Sequence, residues 1–269
     1  MIKKLLENHI KLNIPDERVA VLLSGGVDSL SVALAAHDAG KQIEAYSFYL
    51  KGNKSYDFKT AEKFSKEMGW NFNSVEVPTE NIIADWHRLV DLGCVKKTHF
   101  ECVFPFLYVY PEITEKYVLT GWGADGYHGV SRLATLRHRP ESIYEPETFD
   151  EFRNKYFLPN NCAGLKWHNK VVTMHDKTHV TPYLDSKVKD YFYQFTWEQL
   201  NRPQQKIKIR NAFTKIQKFG IIKPHTNLHL GAGINKLFET LLNNSNINFK
   251  GRKRVMDICR DWQGGRLAI

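Results

Sequence analysis

Val19-Ala20-Val21-Leu22-Leu23-Ser24-Gly25-Gly26-Val27-Asp28-Ser29-Leu30-Ser31-Val32-Ala33-Leu34-Ala35-Ala36 governs the reading of the whole chain. Its short, continuous apolar run reads as a strand buried on both faces and its alanine-rich end as a helix, so Ser24-Gly25-Gly26-Val27-Asp28-Ser29 is a strand-to-helix turn. Glycines there let backbone N–H groups approach an anion closely, Ser24 and Ser29 add hydroxyl donors, and the helix N-terminus adds the positive end of its dipole. Such a turn holds phosphate. Asp28 would repel that phosphate unless a divalent cation lay between them, so its presence implies Mg²⁺.

The hexapeptide has neither the Gly-Lys-Ser/Thr ending of a Walker A loop nor the spacing of a dinucleotide-binding glycine loop. It resembles the signature of the PP-loop, or ATP pyrophosphatase, superfamily. That resemblance implies ATP gripped by its β and γ phosphates with chemistry at the α phosphate, and it assigns Leu22, Ser24, Gly25, Gly26, Val27, Asp28 and Ser29 to the nucleotide.

A chain of 269 residues is long enough for one large domain or a core with an appended one, and 42% hydrophobic content supports a sizeable core. No run approaches the length of a membrane span, and the first eight residues are too polar for a signal peptide, so a soluble, cytoplasmic protein is expected. Cys94, Cys102, Cys162 and Cys259 show no paired spacing, which favours reduced thiols over a zinc site or disulfides and gives sulfur transfer little support. A formal net charge of +9 suits a polyanionic nucleotide or a nucleic-acid surface. Lys250-Gly251-Arg252-Lys253-Arg254 is the concentrated basic stretch, and it reads either as a solvated tail or as a nucleic-acid contact.

Residues 2 to 11 carry apolar side chains at helical spacing, a lead-in helix broken before the first strand at Pro15. A second strand follows over 41–50, then a helix from Asp57 to Met68 ended by Gly69, and a short third strand over 73–77. Thr79 is expected to cap a helix reaching Leu92, and Pro105 marks another helix start. Residues 117–123 read as a fourth strand entering a glycine turn. This alternation predicts a doubly wound parallel α/β sheet over residues 1–131, and from 132 to 269 helical patterns take over, over 146–157, 185–195, 196–201 and 204–219, as a mostly helical lobe.

In such a fold the loops beyond the strand ends converge, so Gly121-Trp122-Gly123-Ala124-Asp125-Gly126 should face the first loop and bring Asp125 to share magnesium with Asp28. Thr120 to Gly129 resembles the Ser-Gly-Glu-Gly-Ala/Ser-Asp-Glu-Leu/Val-Phe-Gly motif of asparagine synthetases and β-lactam synthetases, with Trp122 and Gly126 standing where the motif has glutamates. Val180-Thr181-Pro182-Tyr183-Leu184-Asp185 resembles the family's Arg-Val-Pro-Phe-Leu-Asp segment, and Lys206 to Phe213 resembles the helix carrying its catalytic lysine. Lys223, His225 and Gly231-Ala232-Gly233 resemble a later basic and Gly-x-Gly stretch. The blocks occur in the family's order from Arg18 to Gly233. The family's glutamine-hydrolysing domain is not represented, Ile2 standing where its nucleophilic cysteine would be.

The resemblance implies an ATP-dependent synthetase that adenylates a carboxylate or equivalent oxygen, releases pyrophosphate, and forms an amide with ammonia or an amine. It makes Lys206 the catalytic lysine, with Arg210, Lys223 and Gly121 at the nucleotide, and Ser47 and Phe48 meeting adenine. Trp122, Gly123, Gly126 and His128 are the candidate substrate residues. Glu101, in an apolar segment, reads either as a base for the amine or as an acid at a helix start. His175 and His179 are four apart, but the β-branched residues around them argue against a helix and so against zinc. Two other readings remain: a PP-loop enzyme that adenylates a nucleobase of tRNA, and a nucleotide-binding relative without turnover.

Overall fold

The amphipathic lead-in forms α1 (Ile2–Asn13), burying Ile2, Leu6 and Ile10. The apolar run after it is β1 (Arg18–Leu22), and the alanine-rich segment is α2 (Val27–Asp38), whose small side chains let it lie buried along most of its length. β2 (Gln42–Leu50), α3 (Tyr56–Met68) and β3 (Asn71–Val77) follow, α3 ending at Gly69 in the left-handed conformation that an L side chain adopts only at a cost. This is a computed structural model, and it describes residues 1–94, 97–143, 148–158, 164–220 and 228–237.

Chain order continues through α4 (Ile82–Asp91), α5 (Lys97–Val103), α6 (Phe106–Glu112) and β4 (Tyr117–Leu119). Next come α7 (Ala124–His128), α8 (Arg132–His138), α9 (Phe149–Tyr156), α10 (Leu165–Met174) and β5 (Thr178–Val180). A 3₁₀ turn at Pro182–Leu184 leads to α11 (Ser186–Tyr193), α12 (Trp197–Asn201), α13 (Ile207–Ala212) and α14 (Thr214–Lys218).

All strand pairs are parallel and the sheet order is β3-β2-β1-β4-β5. Alternation along β1 serves both faces: Val19 and Val21 pack with Leu6, Ile10 and Leu30, while Ala20 joins Trp86, Phe104 and Tyr110. The sheet is doubly wound. Successive strands step outward from β1 to β3 and then resume at β4 on the other side of β1, so the loops after β1 and β4 diverge around a crevice at their carboxyl ends.

Three expectations change. Thr79 does not cap α4, which starts at Ile82 after Asn81, and Pro105 precedes α6 as expected. The helix read over 204–219 is two short helices parted at Phe213, and Lys206 stands just before the first of them. The second half of the chain also supplies a strand: β5 pairs with β4 and completes the sheet, three residues being too few for an alternation to register.

The 3₁₀ turn after β5 reaches back to the phosphate loop. The Tyr183 hydroxyl, fully buried, is 2.6 Å from Ser31 Oγ, and Ser31 Oγ donates to the Asp28 carbonyl at 2.8 Å. Removing that phenolic hydroxyl leaves Ser31 its second partner, so Tyr183→Phe is expected to cost about 1 kcal/mol of stability in urea titration, with unchanged m-value.

Candidate active site

The phosphate loop is internally tied. The Ser24 N–H donates to Ser29 Oγ at 3.1 Å, the two serine hydroxyls are 3.0 Å apart, and the Gly26 N–H donates to Ser24 Oγ at 3.3 Å. Gly25 has φ +70°, and a Cβ there would lie 2.5 Å from the Asp57 carbonyl oxygen, so both backbone angle and space demand glycine. No side chain caps α2 at Gly26, which leaves the first turn of that helix facing the crevice for an anion.

Gly121 sets the distance to the second loop. Its missing side chain lets the backbone lie against Asp28, where a Cβ would be 2.8 Å from the Asp28 carbonyl carbon and 2.9 Å from the Ser29 nitrogen. Asp28 on the first turn of α2 and Asp125 on the first turn of α7 thereby converge. Between them lies the Lys206 ammonium, 2.5 Å from Asp28 Oδ2 and 2.7 Å from Asp125 Oδ1, on a side chain only 5% exposed. Burial lowers the affinity of that amine for its proton, but Asp125 and Asp28 together outweigh burial and hold it above the ordinary lysine value.

Lys206 adopts φ +62°, a left-handed backbone that a lysine keeps only where its surroundings impose it. Asn201 supplies the constraint: its Oδ1 accepts from the Lys206 N–H at 3.4 Å, and its Nδ2 donates to the His128 carbonyl at 2.7 Å. The amide side chain thus binds the segment before α13 to the end of α7, the helix that carries Asp125.

These groups open on a cavity of about 440 Å³. Leu22, residues 24–29, Ser47, Phe48, Gly121, Trp122, Gly123, Asp125, Lys206 and Arg210 all contribute to its wall. Ser47 is buried, and Phe48 lies edge-on to Phe106 with ring centroids 6.0 Å apart. Buried Arg210 donates from Nε to the Gln205 carbonyl at 2.9 Å.

Other expected residues lie elsewhere. Glu101 is 1% exposed on α5 and is not part of the cavity wall, although Cys102 beside it is. His128 is fully buried, donates from Nδ1 to the Ala124 carbonyl at 2.8 Å, packs against Phe192, and likewise does not line the cavity. Gly126 is not in the wall either. A Cβ on it would run into the Tyr156 ring, and it is that ring which faces the cavity. Lys223, His225 and residues 250–254 lie outside the described residues, as do Cys162 and Cys259.

Tyr156, Phe152, Val130 and Asn201 were missed by sequence reasoning. Tyr156 and Phe152 are one turn apart on α9, a spacing that marks a shared face without saying which way it points. His179 was weighed only as a metal ligand. It joins the strand ends instead, its Nε2 2.7 Å from Thr120 Oγ1 and its Nδ1 2.7 Å from Asn169 Oδ1.

No cluster of three or more metal-ligating side chains occurs among the described residues. The carboxylate pair nevertheless fits a magnesium ion of the kind that accompanies nucleotides, which takes one or two carboxylates and fills its remaining positions with phosphate oxygens and water. Asp28 and Asp125 would hold it, and it would neutralise phosphate charge.

Parallel sheet, glycine loop at the switch point and buried lysine across from it define a PP-loop protein. The chain belongs to the asparagine synthase family, whose description matches residues 1–179. It is 26% identical over 237 residues to the carboxyethyl-arginine β-lactam-synthase of Streptomyces clavuligerus, covering 85% of this chain and 43% of that protein. The chain therefore spans less than half the length of that curated relative. Among solved structures it resembles the NMN synthetase of Francisella tularensis, at 15% identity and a TM-score of 0.37 over 93% of this chain and 97% of that one. It also resembles a protein described as a predicted subunit of tRNA methyltransferase from Methanocaldococcus jannaschii, at 13% identity and a TM-score of 0.36, over 74% and 87%. At those scores neither likeness adds to what the sheet order says. No helix among the described residues is long and apolar enough to cross a membrane.

Lys206→Met would leave two carboxylates facing each other without their shared cation. Calorimetry should show a loss of about 3–5 kcal/mol at pH 7. Part of that loss is recovered on acidification, because one of two crowded carboxylates then takes up a proton. In the wild type, burial pushes His179 down to about 4, and burial together with His179 lowers His168 well below its ordinary range. Depressed histidines contribute stability that is whole above the unfolded value near 6.5 and is lost as pH falls toward about 4, so His179→Gln should flatten the fall in melting temperature across that window.

Proposed function

We propose that this chain is an ATP-dependent synthetase that joins a carboxylic acid to ammonia or an amine. A carboxylate oxygen attacks the α phosphorus, the bond to the β phosphate breaks, and pyrophosphate leaves. The nitrogen nucleophile then attacks the acyl carbon, AMP departs, and one proton is lost. Residues 24–29 hold the departing pyrophosphate through N–H and hydroxyl donors, while Leu22, Ser47 and Phe48 border the adenine. Lys206 stabilises the charge that grows on the α phosphate and on the bridging oxygen as the bond breaks.

The observation that carries this reading is a buried ammonium fixed at the mouth of a phosphate loop. A positive charge held in a site of low dielectric acts strongly on phosphate charge that develops beside it. Family membership agrees with it, and so does the relative named for β-lactam synthesis, since closing a lactam forms an amide.

The acid's body lies against Val130, Phe152 and Tyr156, the apolar part of the wall beside Asp125. Purified protein given Mg²⁺, ATP and a panel of carboxylic acids and amines should release pyrophosphate and AMP, and Asp28→Ala should abolish the release. Absence of pyrophosphate with every acid and amine, or full activity in Asp28→Ala, overturns the assignment. Tyr156→Ala should raise KM for the acid about tenfold, the loss expected from uncovering part of a ring contact, and leave KM for ATP nearly unchanged.

A further inference from the structure

Asp28, Asp125 and the Lys206 ammonium between them carry one net negative charge, with Arg210 the next cation to act on Asp28. Asp28 and Asp125 come from different strand ends and each places an oxygen on the same nitrogen, at 2.5 and 2.7 Å. Asp28 is 178 residues from the lysine in sequence and Asp125 is 81, so it is the tertiary fold that brings the three groups together. Gly121 fixes the approach of the two loops by backbone contact, and Asn201 fixes the lysine's own backbone. The ammonium therefore fills a position that the fold builds for a cation.

Asp28 and Asp125 would hold a magnesium ion, and each already has an oxygen on the ammonium, so the ion and the lysine would compete for the same carboxylate pair. One position cannot hold two cations. A divalent ion brings two positive charges where the ammonium brings one, and in taking its place it releases a positive group to follow the phosphates.

We infer that Lys206 is the ligand-free occupant of the cation position between Asp28 and Asp125, and that it exchanges with a divalent cation when nucleotide loads. The exchange makes the lysine available to phosphate only once the metal is in place. It rests on the synthetase reading for the nucleotide, but its first arm needs the metal alone. The side chain that bridges the two strand-end loops is the one that later serves the reaction, and without a cation the lysine stays locked to its carboxylates.

Calorimetric titration of MgCl₂ into nucleotide-free protein tests the first arm. Lys206→Met should bind Mg²⁺ at least about tenfold more tightly than wild type, and added Mg²⁺ should raise the variant's melting temperature while hardly moving that of the wild type. Equal Mg²⁺ affinity in the two proteins overturns the inference. Should Lys206→Met not fold, ¹⁵N-lysine labelling of the wild type reads the same event, because a buried, bonded ammonium exchanges its protons slowly enough to be seen. With a non-hydrolysable ATP analogue, the Lys206 ammonium signal should stay in place in EDTA and shift or vanish when Mg²⁺ is added. An identical signal in both conditions, with the analogue bound, overturns the exchange. If the phosphate-loop amides show that the analogue does not bind at all, the synthetase reading falls, and the metal titration still decides the exchange.

Discussion

One lysine between two aspartates organises this molecule's centre. Lys206 arrives late in the chain on a left-handed backbone, Asp28 early on the first turn of α2, and Asp125 midway on the first turn of α7. An ion pair of this burial stabilises little on balance, since desolvation consumes most of the Coulombic gain. It does fix geometry: three segments far apart in sequence meet at a single nitrogen. Sheet order, Gly121 and Asn201 are all arranged so that this meeting occurs at the switch point of the sheet.

Much of the first half was legible in the sequence because the signals there are local. The apolar run of β1, the glycines after it and the alanine-rich α2 each state their conformation within a few residues, and the parallel order follows from alternation of strand and helix. The pairing of Asp28 with Asp125 could also be anticipated, because both lie just past strand ends in a doubly wound sheet. Motif order placed Lys206 near them. Its helical reading was the error, since a lysine in a helix most often faces water, whereas here the helix begins one residue later and the side chain turns inward.

What stayed illegible depends on tertiary packing. Three residues of β5 are too short for periodicity to speak, yet they complete the sheet. Gly126 stands at a position that invited a substrate role, but its lack of a side chain makes room for Tyr156, a residue thirty places on with no motif of its own. His128 and Glu101 illustrate the converse, chemically able side chains that are buried and do not line the cavity. Side-chain chemistry is written in the sequence, but direction is decided by the neighbours.

Tyr183 has a consequence beyond the hydrogen bond it makes. Through Ser31 it ties the carbonyl of Asp28 to the turn that follows the last strand of the sheet, so the phosphate loop is braced from behind by a buried side chain from the second half of the chain. A glycine loop left to itself would have to be ordered by its ligand, at the ligand's entropic expense. Here the ordering is completed when the sheet closes. The order of the glycine loop is in this sense a property installed during folding, and anything that frays the short terminal strand loosens a loop it never touches.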